Sequence, residues 1–196
     1  MIRLPKPIAP SEIAFDIDGV IADTMESFLN IARKEFGITH LKKDHITSYW
    51  LEDCISIPIH ITHAIIDRLV KDPFGTALTP IEGAREALST LIPHSSLTFV
   101  TARPDSGPIT EWLHSILPEA TRHRLNVIAT GEHAKKVDVL KAIGVSYFVE
   151  DNLDTCDSLY REGINAIVFD QPWNRGHTPF LRVTSWKEIM EMIKFD

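Results

Sequence analysis

The run Phe15-Asp16-Ile17-Asp18-Gly19-Val20 joins an apolar strand to a tight turn within six residues. Ile13, Ala14 and Phe15 lead straight into two carboxylates, and Gly19 ends the strand. Strand residues alternate faces, so Asp16 and Asp18 start on one side, at the end of a strand expected to be buried over Ile13–Ile17. Two anions held that close repel each other and lose hydration, a cost of several kcal/mol unless a cation or a proton offsets it. Standing alone, Asp-x-Asp-Gly could equally be a polar turn after a buried strand. The residues downstream decide between the two.

Working outward, short β-rich apolar runs recur at Leu97–Thr101, Leu125–Ala129, Tyr147–Glu150 and Ala166–Phe169. Between them lie stripes of helical period: Ala84, Ala87, Leu88 and Leu91; Ile109, Trp112, Leu113 and Ile116; Val137, Leu140 and Ile143. Strands alternating with helices predict parallel pairing through right-handed crossovers, hence an α/β, three-layer Rossmann-like sheet. Ligands of such sheets bind beyond the carboxyl ends of the strands. One interval breaks the rhythm. From Ala22 to Pro80 no convincing strand occurs. Met25, Phe28, Leu29, Ala32 and Phe36 predict a helix ended by Gly37, and Ile61, Ala64, Ile65 and Leu69 a second, closed by Asp72-Pro73. A helical insertion at that point would sit above the strand ends, either as a lid or as an extra layer on the core. The expected organisation is a core of residues 1–21 and 81–196 with a helical insertion of residues 22–80.

Bulk properties narrow the function class. The chain has 196 residues, 44% of them hydrophobic and 24% charged, as in ordinary folded proteins. No apolar run approaches the roughly 20 residues that span a bilayer. The opening Met1–Pro10 carries three prolines and lacks a signal peptide's apolar core. Cys54 and Cys156 lie far apart without metal-ligand spacing, which predicts free thiols and a cytoplasmic setting. A net charge of −7 argues against a nucleic-acid polymer or an anionic membrane as partner, but not against a small anionic ligand.

Three further strand ends carry polar groups. Thr101 offers a hydroxyl, and Ala102-Arg103 exposed backbone N–H groups, to an oxyanion. Lys135 and Lys136 open the helix before the Tyr147 strand, and either could reach back to neutralise charge. Glu150-Asp151 brings a second acidic pair to a strand end. Asp16, Asp18 and Asp151, converging at one sheet edge, would make an oxygen-only cage suited to a hard divalent cation, Mg²⁺ best.

In this order the motifs resemble the four-motif signature of the haloacid dehalogenase (HAD) superfamily: Asp16-x-Asp18-Gly19-Val20, Thr101, Lys136, Glu150-Asp151. The resemblance spans most of the chain, and the insertion is similar to that superfamily's helical cap. It implies a HAD-like core with Asp16 as nucleophile and Asp18 as general acid/base. Thr101 and Lys136 would hold the phosphoryl oxygens, with Ala102 and Arg103 beside them in the substrate site. Asp16, the Asp18 backbone carbonyl and Asp151 would hold Mg²⁺. Val137-Asp138-Val139-Leu140 matches the family context of the lysine and favours Lys136 over Lys135. Glu150, where relatives often have Asp, becomes a neighbour of the ligands, and Asp154 either orients metal waters or caps the next helix. The superfamily's dehalogenases lack an acid two residues after the nucleophile, so Asp18 points to phosphoryl transfer.

The narrower likeness is to the 5′(3′)-deoxyribonucleotidase-like branch. It rests on Asp16-Ile-Asp-Gly-Val-Ile-Ala-Asp23 and on a tail comprising Phe169-Asp170-Gln171-Pro172-Trp173-Asn174-Arg175, Arg182-Val183 and Ser185-Trp186-Lys187-Glu188-Ile189. It implies an enzyme for a small phosphorylated metabolite, a nucleoside monophosphate above others, acting as a monomer or homodimer. A sugar phosphatase on the same machinery, or a binding protein that keeps the fold without turnover, are the alternatives. Trp173 and Trp186 fit that ending or plain core packing. Tyr49, Trp50 and Phe74 could stack on a base or fill the insertion's own core. Arg103 fits a substrate contact or an exposed surface position. His60 and His63 have helical metal-pair spacing without a third ligand and read as a solvated face. Cys156 reads as a buried thiol.

Overall fold

A computed structural model describes residues 7–195. Met1–Lys6, which include part of the proline-bearing opening, and Asp196 lie outside the described residues. The chain runs β1 (Ile13–Phe15), α1 (Thr24–Phe36), α2 (Ile59–Lys71), α3 (Ala84–Leu91), β2 (Leu97–Thr101), α4 (Gly107–Ile116) and β3 (Leu125–Ala129). It continues through α5 (Lys135–Ile143), β4 (Tyr147–Glu150), α6 (Leu153–Arg161), β5 (Asn165–Phe169), β6 (Leu181–Val183) and α7 (Trp186–Met192).

The strands form a six-stranded sheet in the order β3-β2-β1-β4-β5-β6, every pair parallel. Side-chain alternation gives the sheet two apolar faces. Ile13, Phe15, Tyr147 and Val149 pack with α3, α4 and α7 on one side. Ala14, Phe148 and Val168 pack with α5 and α6 on the other. The result is the three-layer α/β architecture expected from the alternating pattern. Trp186 anchors α7 against Phe15, ring centroids 5.3 Å apart, and its indole donates to the Val20 carbonyl at 2.9 Å.

Strand order determines where chemistry can gather. From β1 the chain winds outward through β2 and β3, then returns to place β4 on the other side of β1. This topological switch point opens a crevice at the carboxyl ends of β1 and β4. Register pairs Phe15 with Val149, so the residues that follow each strand emerge side by side.

Three details differ from expectation. β1 ends at Phe15 rather than Ile17, because the Ile17 carbonyl accepts the N–H groups of Ile21 and Ala22 (2.9 and 2.8 Å) and Gly19 turns at φ +74°. β5 starts one residue earlier, at Asn165. β6, only three residues long and edged by loops, carried too little periodicity to be read.

The interval between β1 and α3 holds α1, α2 and two short 3₁₀ turns, Lys43–His45 and Leu51–Asp53. It has an apolar cluster of its own, including Phe28, Leu29, Ile46, Ile65 and Leu69. Asp23 caps α1 by accepting from Glu26 N–H, and Gly37 ends it in the left-handed conformation at φ +68°. Phe36, counted in the helical stripe, is 39% exposed. The two ends of the interval meet: Asp23 N–H donates to the Thr79 carbonyl (2.9 Å) and Ile81 N–H to the Ile21 carbonyl (2.7 Å).

Candidate active site

The switch point brings Asp16, Lys136, Glu150 and Asp151 together, all buried. Lys136, in the first turn of α5, is fully buried and reaches back over the sheet edge. Its ammonium lies 2.9 Å from Asp16 Oδ2 and 2.8 Å from Glu150 Oε2, and 5.7 Å from the centre of the Phe148 ring. Lys135 points elsewhere and pairs with Glu132 on the exposed surface. Glu150 is fully engaged: besides Lys136, its Oε1 accepts the backbone N–H groups of Asp151 (3.0 Å) and Asn152 (3.1 Å). Asp154 is exposed, and the cap of α6 is Asn152, whose side chain accepts from Thr155 N–H.

Two carboxylate oxygens are left over among the described residues. Asp16 Oδ1 and Asp151 Oδ1 are buried without a hydrogen-bond partner. Asp16, Glu150 and Asp151 each offer an oxygen within 4.8 Å of the others. An orphaned buried carboxylate oxygen is costly, and two of them on carboxylates that approach within 4.8 Å fit a hard cation. Glu150 has its oxygens spent, so Asp16 and Asp151 are the side chains that fit as ligands. The electrostatics agree. Burial, then the charge of Glu150, pushes the Asp16 carboxyl well above its ordinary range. Burial, then Glu150 and Asp16, does the same to Asp151. Burial opposes ionisation of Glu150 as well, but Lys136 outweighs it and holds that group low.

Asp18 belongs to a different pairing. Burial raises its proton affinity, but Arg103 more than compensates and keeps the carboxyl below its usual value. Arg103 donates from Nε to Asp18 Oδ2 (2.9 Å) and from Nη2 to Oδ1 (2.8 Å), and Thr24 Oγ1, at the start of α1, donates to Oδ1 at 2.5 Å. Arg103 is 4% exposed. Its Nη1 donates to the Leu69 and Val70 carbonyls at 3.0 and 3.1 Å. The exposed-surface reading of Arg103 is therefore excluded. Thr101 is buried at the end of β2, its Oγ1 accepting Arg103 N–H at 3.2 Å.

The loop after β5 closes the arrangement from the side. Gln171 Nε2 donates to the Gly19 carbonyl at 2.7 Å, and Asn174 Nδ2 to the Asp151 carbonyl at 2.8 Å. Trp173 Nε1 donates to Asp151 Oδ2 at 3.1 Å, which leaves Oδ1 as the free oxygen. Gly19 allows this approach: a Cβ there would lie 2.0 Å from Asp151 Oδ2. Trp173, Asn174 and Gln171 were not singled out for the site from sequence. The signal was positional, since they follow the carboxyl end of a strand, the edge on which this sheet places its ligands.

Above these groups lies a cleft of about 390 Å³, bounded by the sheet edge below and the α1–α2 interval above. Tyr49 and Trp50 line it and meet His133, from the loop before α5, edge to face at 5.3 and 6.4 Å. Tyr49 Oη and His133 Nε2 share a hydrogen bond at 3.3 Å. Burial and the nearby Asp151 push the Tyr49 phenol upward, and burial pushes the His133 imidazole downward, so both are neutral at neutral pH. Phe74, the third aromatic considered from sequence, is 56% exposed and outside the cleft lining. His63 sits at the rim, and neither it nor His60 joins the acidic cluster. Cys156 is buried, its thiol pushed up by burial.

Comparison with known proteins extends this picture. Residues 10–195 match the family described as 5′ nucleotidase, deoxy (pyrimidine), cytosolic type C protein (NT5C). A nucleotidase of Clostridium acetobutylicum is 21% identical over 183 residues, covering 92% of each chain. Among solved structures, a haloacid dehalogenase-like hydrolase from Streptococcus pneumoniae superposes with a TM-score of 0.60 at 14% identity, over 91% of this chain and 96% of that one. A HAD-superfamily hydrolase, subfamily IA, from Geobacter sulfurreducens gives 0.59 at 20% identity, over 93% and 95%. At such identities the structural matches speak to the fold.

Proposed function

This chain belongs to the 5′ nucleotidase, deoxy (pyrimidine), cytosolic type C family of HAD phosphatases, and on that premise we propose a Mg²⁺-dependent phosphomonoesterase acting on nucleoside 5′-monophosphates through an aspartyl-phosphate. The observation that carries the reading is the pair of orphaned oxygens, Asp16 Oδ1 and Asp151 Oδ1, beside the buried ammonium of Lys136 at the floor of the cleft. Asp16, Asp151 and the Asp18 backbone carbonyl would hold the cation, which when bound supplies positive charge to the phosphoryl oxygens.

The chain's own residues do the rest. Thr101, Ala102 and Lys136 receive phosphoryl oxygens, the lysine screening the anion from the incoming carboxylate. Arg103 serves the substrate site from beside them. An Asp16 oxygen bonds to phosphorus as the ester P–O bond breaks, and the departing oxygen takes a proton from Asp18. Asp18, now a carboxylate, accepts a proton from water, whose oxygen displaces Asp16 and releases inorganic phosphate. Because Arg103 keeps Asp18 anionic in the free protein, the first proton enters with the substrate, whose phosphate second ionisation lies near about 6.

Residues 22–80 form the cap in this reading, entering and leaving through the paired Ile21–Asp23 and Thr79–Ile81 segments. The Tyr49, Trp50 and His133 rings over the cleft support an aromatic substrate moiety, hence a nucleobase. The test is phosphate release from ribo- and deoxyribonucleoside monophosphates and sugar phosphates, with Mg²⁺ and with EDTA, beside Asp16→Asn. Mg²⁺-dependent release from nucleotides, absent in the variant, is expected. A fully active Asp16→Asn protein would end the mechanism, and activity confined to sugar phosphates would end the nucleotide assignment.

A further inference from the structure

Pro73 stands four residues after Leu69, where a helical N–H would serve the Leu69 carbonyl, and proline has none. The last turn of α2 therefore reaches the core with an acceptor its own helix cannot satisfy. Arg103 satisfies it. One guanidinium nitrogen meets the Leu69 and Val70 carbonyls, and the other two meet both oxygens of Asp18. The backbone beneath is fixed as well, since Arg103 N–H donates to Thr101 Oγ1 and the Arg103 carbonyl accepts Gly131 N–H at 3.0 Å.

A guanidinium is planar and its donors keep fixed relative directions. Anchoring Nη1 on two helix carbonyls therefore sets where Nε and Nη2 point. α2 in turn is packed into its interval, because Ile65 and Leu69 are buried in the cluster shared with α1. Thr24, at the start of α1, holds the same carboxylate. We infer that Arg103 is a positioning residue that makes the orientation of Asp18 depend on the seating of helix α2 on the core. Lifting α2 removes two of the four acceptors that aim the guanidinium. Asp18 then loses the fork that orders it, so acid/base competence and closure of the cleft rise and fall together.

The inference rests on the phosphatase reading for its kinetic half only; the structural half stands by itself. For the kinetic half, Arg103→Lys keeps the charge but cannot span both sets of acceptors. An alkyl phosphate needs a proton on its leaving oxygen, whereas p-nitrophenyl phosphate hardly does. Arg103→Lys is expected to lower kcat/KM for the alkyl ester at least about tenfold more than for the aryl ester. Equal losses on both, or no loss, would overturn the inference. For the structural half, coupling is reciprocal, so Asp18→Asn should loosen α2 from the other side. Hydrogen exchange at the amides of residues 69–72 is expected to speed up severalfold in Asp18→Asn while exchange in β2 and β4 stays unchanged. Unchanged exchange at 69–72 would overturn the inference even if Arg103→Lys failed to fold. Wild-type protein inert toward every phosphate ester would sink the proposed function and leave the exchange experiment to decide the role of Arg103.

Discussion

Replacing Asp151 by Asn should stabilise the metal-free protein and destroy its response to Mg²⁺. A carboxylate oxygen of Asp151 lies within 4.8 Å of one on Asp16 and one on Glu150. At that distance and an effective dielectric near 20, each like-charge pair costs about 3 kcal/mol. Lys136 and partial protonation offset the greater part, leaving about 1–3 kcal/mol to be recovered by neutralising Asp151. Asparagine keeps the volume, can still accept from Trp173 Nε1, and removes the charge. For a domain of this size the gain corresponds to a Tm increase of about 2–12 °C in EDTA at neutral pH. The pH dependence has a definite sign. Asp16 and Asp151 hold protons in the folded state at pH values where the unfolded chain has lost them, so metal-free stability falls as pH rises through that window. The advantage of Asp151→Asn should therefore shrink as pH is lowered. Saturating Mg²⁺ works against the variant: at 100 times Kd the wild type gains about 2.7 kcal/mol and the variant nothing, which offsets most or all of its advantage. Thermal unfolding of both proteins, with EDTA and with Mg²⁺ at two pH values, measures all of this. A lower Tm for Asp151→Asn in EDTA at neutral pH would refute the electrostatic account of the cluster.

Lys136→Gln removes the cation shared by Asp16 and Glu150 and should cost about 3–5 kcal/mol in urea unfolding, while Lys135→Ala, on an exposed pair, stays within about 0.5 kcal/mol. Similar costs for both would show that Lys136 is not the buried counterion. Gly19→Ala combines a positive φ with a Cβ 2.0 Å from Asp151 Oδ2, so Mg²⁺ affinity by calorimetry should drop at least about tenfold; unchanged affinity would mean that Asp151 does not ligate.

Much of this was legible because local pattern and global fold agree. The runs Leu97–Thr101, Leu125–Ala129 and Tyr147–Glu150 are strands with those bounds, each a short, mostly apolar run; the first and last are buried, and the middle one is the half-buried edge strand. Asp16, Lys136 and Asp151 stand at strand ends or helix starts on successive units, where topology alone forces convergence. Asp16 and Asp18 show the limit of that logic. Alternation implied one shared environment, but the chain leaves the sheet after Phe15 and the two carboxylates acquire different cations, Lys136 and Arg103. Arg103 itself was ambiguous because its partners are supplied by Pro73's missing N–H and by Asp18, both remote in sequence. Trp173 was ambiguous for a related reason: an indole that packs and an indole that donates to a buried carboxylate have the same local signature.

The hydrogen bonds from Gln171 to the Gly19 carbonyl and from Trp186 to the Val20 carbonyl span 152 and 166 residues. During synthesis, the turn that carries Asp16 and Asp18 thus waits for more than 150 further residues before its Gly19 and Val20 carbonyls find these donors. Contacts of such separation form late in folding and slowly. A ribosome-bound or prematurely terminated chain can collapse its apolar β1 strand without acquiring an ordered carboxylate turn. Order in the Asp16–Asp18 turn is in this sense a late product of translation, withheld from partial copies by the distance between the turn and the residues that brace it.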